Sequence, residues 1–143
     1  MSVTITEQLK KELATLAKQY GIALFVLFGS QARGDAHKKS DIDIAYSARN
    51  PMPLHTENEM AVALHEIFGT SHVDIVNFST ASPLLLKLVT EEGTPIFEAK
   101  SSLFDELYLY ANKVYRESSR LRELARDEVL QSIRQYKKEL SHA

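Results

Sequence analysis

The sequence contains no cysteine, so it can form neither a disulfide nor a thiolate metal site. It has no long uncharged apolar run and no apolar stretch at its N-terminus, which argues against a membrane span and a secretory signal. Lysine and arginine number 17 against 19 acidic residues, so no overall positive field attracts nucleic acid. We therefore expect a cytoplasmic protein of 143 residues with a real core and no strong nucleic-acid binding.

The most informative segment joins an apolar strand to a pair of aspartates. Residues 24–28 read Leu-Phe-Val-Leu-Phe and lead into Gly29 and Ser30, and Asp41 and Asp43 follow after a polar connection. Gly29 allows the backbone to approach a phosphate closely, and Ser30 opens a predicted short helix whose free N–H groups attract it. Because the two aspartates stand two apart on a predicted strand, their carboxylates leave the same face. Such a pair can bind magnesium ions arranged for displacement at phosphorus.

This segment resembles the signature of the nucleotidyltransferases of the DNA polymerase beta superfamily, which is Gly-Ser, ten residues and then Asp-x-Asp. Gly29-Ser30 and Asp41-Ile42-Asp43 match it without departure. The continuation Arg33-Gly34-Asp35-Ala36 and the serine at Ser40 look like the small branch called minimal nucleotidyltransferases, or MNT. The resemblance covers about residues 20–98 and implies the fold and chemistry of that family.

The resemblance also implies a third carboxylate on a later strand. Asp74 is the candidate, because it stands alone in the apolar segment 73–76, which reads Val-Asp-Ile-Val. Arg33, Lys38 and Lys39 lie between the Gly-Ser pair and the aspartates, so at least one of them is a candidate contact of the triphosphate. Taken alone, these carboxylates could be solvated strand ends and these cations a solvated turn. The histidines show no metal-ligand spacing, and His72 reads as a surface or capping residue.

Alternating strands and helices over residues 1–100 predict an α/β (α+β) nucleotidyltransferase core with a small mixed sheet. Thr4 to Glu7 has the spacing of a capping box that opens the first helix, and Gly21 ends it. The predicted strands are 23–28, 41–46, 73–78 and 96–97, and the further predicted helices are 56–68 and 82–90.

Residues 101–143 form a predicted C-terminal helical extension. Apolar residues follow one another at steps of three or four from Leu107 to Leu140, interrupted only by Ser118. One helix over residues 101–140 would be about 60 Å long, which is more than so small a core can cover. We therefore expect either a break near Ser118 or a helix that reaches another chain. The first half is predicted to pack on its own domain and the second half to face a partner or a second copy.

The resemblance to MNT antitoxins implies magnesium-dependent transfer of AMP from ATP to a tyrosine of a partner HEPN toxin, a ribonuclease. It implies that Asp41, Asp43 and Asp74 hold two Mg²⁺ ions and that Gly29 and Ser30 clasp the phosphates, with Asp74 helping to take the acceptor proton. Two alternatives stay open: an antitoxin that neutralises its toxin by binding alone, and a nucleotidyltransferase for a small molecule such as an aminoglycoside. A hetero-oligomer or a homodimer fits any of the antitoxin hypotheses.

Overall fold

A computed structural model describes residues 4–29 and 41–141. Its centre is a four-stranded mixed sheet, which confirms the predicted fold class. The strands are β1 (Ile22–Phe28), β2 (Ile42–Ala48), β3 (Val73–Asn77) and β4 (Thr94–Glu98), in the spatial order β3-β2-β1-β4. β1 pairs antiparallel with β2 and with β4, whereas β2 and β3 run parallel.

Helices cover both faces of this sheet. They are α1 (Glu7–Tyr20), α2 (Leu54–Phe68), α3 (Pro83–Glu92) and α4 (Leu103–Ser141), with a short 3₁₀ turn at Phe78–Thr80. The predicted bounds differ from these by a few residues. The predicted short helix after Ser30 lies outside the described residues. No helix in the described part of the chain is long and apolar enough to cross a membrane.

The N-terminus of α1 differs from the prediction. Thr6, not Thr4, caps the helix: its hydroxyl accepts a hydrogen bond from the backbone N–H of Leu9 at 3.1 Å. The expected capping box from Thr4 to Glu7 is therefore wrong, because the chain stays extended while Ile5 packs against the core. The C-terminus is as predicted, with Gly21 in the left-handed conformation at φ 66°.

Each face of the sheet has its own apolar cluster. Alternate residues of β2, among them Ile44 and Tyr46, pack with Leu13 of α1 and Leu64 of α2. The other face is covered by α3 and α4, and its buried residues are Leu24, Val26, Phe28, Ala45, Phe78, Leu86, Val89 and Ala111. The two-residue alternation of β2 directs Asp43 to the side of Ala45, so it lies on the α3–α4 face.

Helix α4 is one unbroken helix of 39 residues, so the expected alternative of a break near Ser118 is wrong. The Ser118 hydroxyl donates to the carbonyl of Tyr115 at 3.0 Å, which gives it a partner within the helix. In the first half, Phe104, Leu107 and Ala111 pack on the core. From residue 120 to residue 141 every residue is exposed.

Candidate active site

The predicted second and third carboxylates are direct neighbours across two strands. Asp43 of β2 is in register with Asp74 of β3, and the two strands are parallel. In-register residues of neighbouring strands share a face, and neighbouring strands lie about 4.8 Å apart. On the other side of β2, Asp43 is in register with Phe28, the last residue of β1. The sheet therefore places Asp43 beside the end of β1, where Gly29 follows, and places Asp74 one strand further away, next to Asp43.

Any residue other than glycine at position 29 would displace the side chain of Asp43. Its φ is +74°, and a Cβ atom built there would run into the carboxylate of Asp43, whose Cγ would be only 3.2 Å away. The left-handed conformation and the missing Cβ are thus both required at this position. The consequence is that the Asp43 carboxylate lies directly against the backbone of Gly29.

Asp41 stands at the entrance to β2. The two-residue alternation places it on the same side of the sheet as Asp43. Its side chain is 53% exposed, and its Oδ1 lies 3.7 Å from Nδ1 of His72. The backbone N–H of Ile42 donates to the carbonyl of His72 at 2.8 Å, which holds the two strand entrances together.

The contact of His72 with Asp41 was not predicted from the sequence, which shows this histidine only as a surface or capping residue. The missing information is the register of two parallel strands. His72 directly precedes β3 as Asp41 directly precedes β2, so parallel pairing sets them side by side. If the parallel pairing of β2 with β3 were known, the sequence alone would predict this contact.

Four predicted site residues, Ser30, Arg33, Lys38 and Lys39, lie outside the described residues. Their roles as phosphate contacts stay predictions. The structure brings together Gly29, Asp43 and Asp74, with Asp41 on the same side of the sheet.

A magnesium ion suits these donors chemically. Magnesium prefers oxygen ligands, and it is usually held by one or two carboxylates together with substrate phosphates instead of by an all-protein cage. Residues 4–29 and 41–141 contain no group of three or more His, Asp or Glu side chains arranged to hold a metal ion. Asp43, which lies against Gly29, and Asp74, its in-register neighbour on β3, are the pair of carboxylates that fits such an ion.

A partly buried polar contact supports β2 from the opposite face. The Tyr46 hydroxyl donates a hydrogen bond to the carboxylate of Glu57 in the first turns of α2. Burial raises the pKa of the Tyr46 hydroxyl, and the hydrogen bond to Glu57 and the charge of that carboxylate raise it further, whereas Asn77 lowers it. This contact ties α2 to the strand that carries Asp43.

Comparison with known proteins places this geometry in a family. The model of the family described as "Polymerase beta, Nucleotidyltransferase" matches residues 9–102. A protein adenylyltransferase MntA from Shewanella oneidensis is 33% identical over 87 residues, which are 61% of this chain and 60% of that protein. The chain thus spans less than two thirds of this relative. A second protein adenylyltransferase MntA, from Aphanizomenon flos-aquae, is 30% identical over 115 residues, or 72% of this chain and 75% of the relative.

Solved structures share the fold. A toxin–antitoxin complex with AMP-PNP contains a chain that superposes with a TM-score of 0.72 at 24% identity, covering 85% of this chain and 98% of that one. An MNT antitoxin in complex with the tri-AMPylated HEPN toxin of Shewanella oneidensis superposes with a TM-score of 0.67 at 21% identity, covering 87% and 98%. At these identities the likeness establishes the fold alone.

Proposed function

Because this chain belongs to the polymerase beta nucleotidyltransferase family, among the minimal nucleotidyltransferases related to MntA, we propose that it transfers AMP from ATP to a tyrosine hydroxyl of a HEPN toxin. The transfer silences the toxin, and the chain thereby acts as its antitoxin. The proposed acceptor is a protein that shares the cytoplasm with ATP.

The observation that carries this proposal is the register of Asp43 with Asp74 beside Gly29. It sets the Asp43 carboxylate against the backbone of Gly29 and places Asp74 next to Asp43 on the neighbouring strand, and a site for a metal-bound triphosphate requires carboxylates grouped in this way. The names of the relatives support the acceptor class, since both MntA proteins are called protein adenylyltransferases. The AMP-PNP complex and the tri-AMPylated toxin support ATP and a HEPN protein as the reactants.

The residues of this chain have separate roles in the proposed reaction. Gly29, together with the Ser30 expected beside it, receives the phosphates of ATP through the backbone. Asp74 accepts the proton of the acceptor hydroxyl as that oxygen bonds to the α-phosphorus. The bond from the α-phosphorus to the pyrophosphate oxygen breaks at the same centre, so the products are an AMP ester and pyrophosphate.

Asp41, Asp43 and Asp74 would hold two Mg²⁺ ions. When bound, such ions neutralise charge on the phosphates and lower the pKa of the attacking hydroxyl. Asp43 is the central ligand, since it lies between the Gly29 turn and Asp74. Asp41 is at the exposed edge of this group, beside His72.

Mass spectrometry tests the proposal. The chain is incubated with ATP, magnesium and a HEPN toxin, and the mass of the HEPN toxin is then measured. We expect the mass of one or more AMP groups on a tyrosine, and no change with Asp43→Asn or with Asp74→Asn. An unmodified HEPN protein in the presence of the unchanged chain would contradict the proposal.

Neutralisation by binding alone is the second candidate, and the exposed second half of α4 favours it because it offers a large surface to a partner. The two candidates differ in what Asp43→Asn does to toxin activity. A chain that acts by binding alone neutralises the ribonuclease equally well with this change. An adenylyltransferase with this change still binds the toxin but leaves its ribonuclease activity intact.

A further inference from the structure

The second half of α4 carries an uncovered apolar stripe. We define the apolar stripe as Leu121, Ala125, Val129, Ile133, Tyr136 and Leu140. Its five large side chains are between 46% and 68% exposed. A contiguous apolar surface of this kind on a water-exposed helix marks an interaction site.

The apolar stripe continues the face by which α4 packs on its own core. Ala111 is fully buried against the sheet, and Ser118 and Ala125 follow it at steps of seven residues, which return to the same side of a helix. Val129 and Tyr136 continue the series at steps of four and seven. The helix therefore extends about 33 Å beyond residue 119. Over this length the apolar stripe lies on the same side of the helix as Ala111, which is the side that contacts the core.

The two edges of the apolar stripe carry opposite charges. At 100° per residue, Glu128 and Glu139 lie along one edge, and Arg126 and Lys137 lie along the other. Within each pair the residues are eleven positions apart, or three helical turns. In paired helices, charges at such edge positions decide the partner and its orientation.

A second copy of the chain does not suit this surface. In a parallel pair, the two cores would collide, because each core lies on the side of its own helix that faces the other helix. An antiparallel pair avoids that collision, but its two-fold axis sets each edge against the same edge of the other copy. Glu128 and Glu139 would then share one edge of the pair with the same two glutamates of the other copy, and Arg126 and Lys137 would share the other edge with the same two cations, which is unfavourable. The occupant is therefore a different chain.

We infer that the apolar stripe docks the HEPN toxin through an amphipathic helix of the toxin. The identity of this partner rests on the proposed function. The docking helix carries basic residues opposite Glu128 and Glu139 and acidic residues opposite Arg126 and Lys137. Anchors at steps of three or four residues are the pattern by which one helix receives another. The surface holds the substrate protein through contacts that are separate from the Asp43 site.

Calorimetric titration of the full chain with the HEPN toxin that it modifies or binds tests the inference. The variant Val129→Lys/Ile133→Lys places two charges in the apolar stripe. The matched control, Leu109→Lys/Leu124→Lys, makes the same kind of change off the stripe and off its two charged edges, at side chains that are 68% and 51% exposed against 58% and 46% for the stripe pair. We expect the dissociation constant to rise about 100-fold for the stripe variant and by less than about threefold for the control.

Transfer of AMP is measured separately, by mass spectrometry of the toxin, so that the two proposals can fail independently. If no AMP is transferred but only the stripe variant loses binding, the proposed function fails and the docking surface stands. If the stripe variant binds the toxin as tightly as the unchanged chain, or the control loses as much affinity, the docking inference is overturned. Light scattering of the isolated chain gives one further test. If the unchanged chain and the control are dimers and the stripe variant is a monomer, the docking inference is overturned and the occupant is a second copy.

Discussion

At the scale of single residues, Gly29 is the position where the backbone and the chemistry depend most directly on each other. Replacement by alanine puts a Cβ into the Asp43 carboxylate and forces a side chain into φ +74°. We expect Gly29→Ala to abolish measurable AMP transfer and to weaken AMP-PNP binding, since Asp43 must move. Gly69→Ala is the matched control: its φ is +70°, but nothing lies within 4 Å of an added Cβ.

The control separates the backbone strain of a left-handed alanine from the displacement of the Asp43 carboxylate. A left-handed alanine costs roughly 1–2 kcal/mol of folding free energy, and both variants carry this cost. Thermal unfolding should therefore show both variants destabilised, whereas the transfer assay should distinguish them. If Gly69→Ala loses as much activity as Gly29→Ala at a temperature where both are folded, the role given to the Asp43 contact is wrong.

Tyr46 gives a prediction about pH. Its pKa is raised in the folded protein by burial and by Glu57. The folded state therefore holds this proton more tightly than the unfolded chain, whose tyrosines titrate near pH 10. The stabilisation by the Tyr46 hydroxyl is fully present below about pH 10 and is lost as the pH rises above it.

Denaturant unfolding of the unchanged chain and of Tyr46→Phe between pH 8 and pH 11 checks this. We expect Tyr46→Phe to be about 1 kcal/mol less stable at pH 8, because the hydrogen bond to Glu57 is lost. The difference should shrink above about pH 10. Tyr136→Phe, at a side chain that is 64% exposed, is the control and should show no such trend. A difference that stays constant to pH 11 would contradict the coupling.

The site residues show what sequence reasoning could and could not supply. The alternation of Asp41 and Asp43 with isoleucines predicts their common face from local sequence alone. The neighbour relation of Asp43 and Asp74 depends on pairing between residues 31 positions apart in the chain, and no local pattern contains it. The same long-range register produces the unpredicted contact of His72 with Asp41.

At the scale of elements, Tyr115 joins α3 to α4. Lys87 of α3 has its Nζ 4.2 Å from the centre of the Tyr115 ring, and the Arg122 guanidinium lies 4.4 Å from the same centre. Two cations on one ring contribute about 0.5–1 kcal/mol each at sites of this exposure. We expect Tyr115→Leu to lower the free energy of unfolding by about 1–2 kcal/mol, measured in urea.

The control for this change is Tyr110→Leu, on the same helix, where the side chain is 57% exposed and neither of the two cations contacts it. It should change the stability by less than about 0.5 kcal/mol. A double-mutant cycle with Lys87→Met isolates the contact with α3. Equal losses for Tyr110→Leu and Tyr115→Leu would show that the ring contributes by helix propensity and not by its cations.

The elements also divide by how well their sequences predict them. Strands β1 to β3 were predicted within two residues of their bounds, because apolar alternation and nearby turn residues are local signals. The first residue of α1 is not predicted correctly, since the choice between Thr4 and Thr6 as the N-cap depends on the packing of Ile5 against the core. The continuity of α4 at Ser118 also depends on context, because a serine in a helix can bond back to its own backbone, as here to Tyr115.

At the scale of the whole molecule, the packing of α4 divides the chain into a part that the core needs and a part that it does not. All of the described contact of α4 with the apolar core is made before residue 120, and residues 120–141 are exposed throughout. We therefore expect a chain ending at residue 119 to lose no more free energy of unfolding than the about 0.5–1 kcal/mol that Arg122 contributes at Tyr115, and so to keep a urea midpoint close to that of the full chain. Its AMP-PNP affinity should also be unchanged, because the Gly29, Asp43 and Asp74 group lies in the sheet.

The same truncated chain should bind the toxin much more weakly, since it lacks the whole apolar stripe. A truncation removes charge, helix length and apolar surface together, so the point variants at Val129 and Ile133 remain the sharper test of docking. The truncation also tests whether docking is independent of folding and of nucleotide binding. Stability and AMP-PNP affinity should be retained, whereas binding to the toxin should be lost. A large drop in the urea midpoint would show instead that the exposed half of α4 stabilises the core, and the division of the molecule argued from its burial would be wrong.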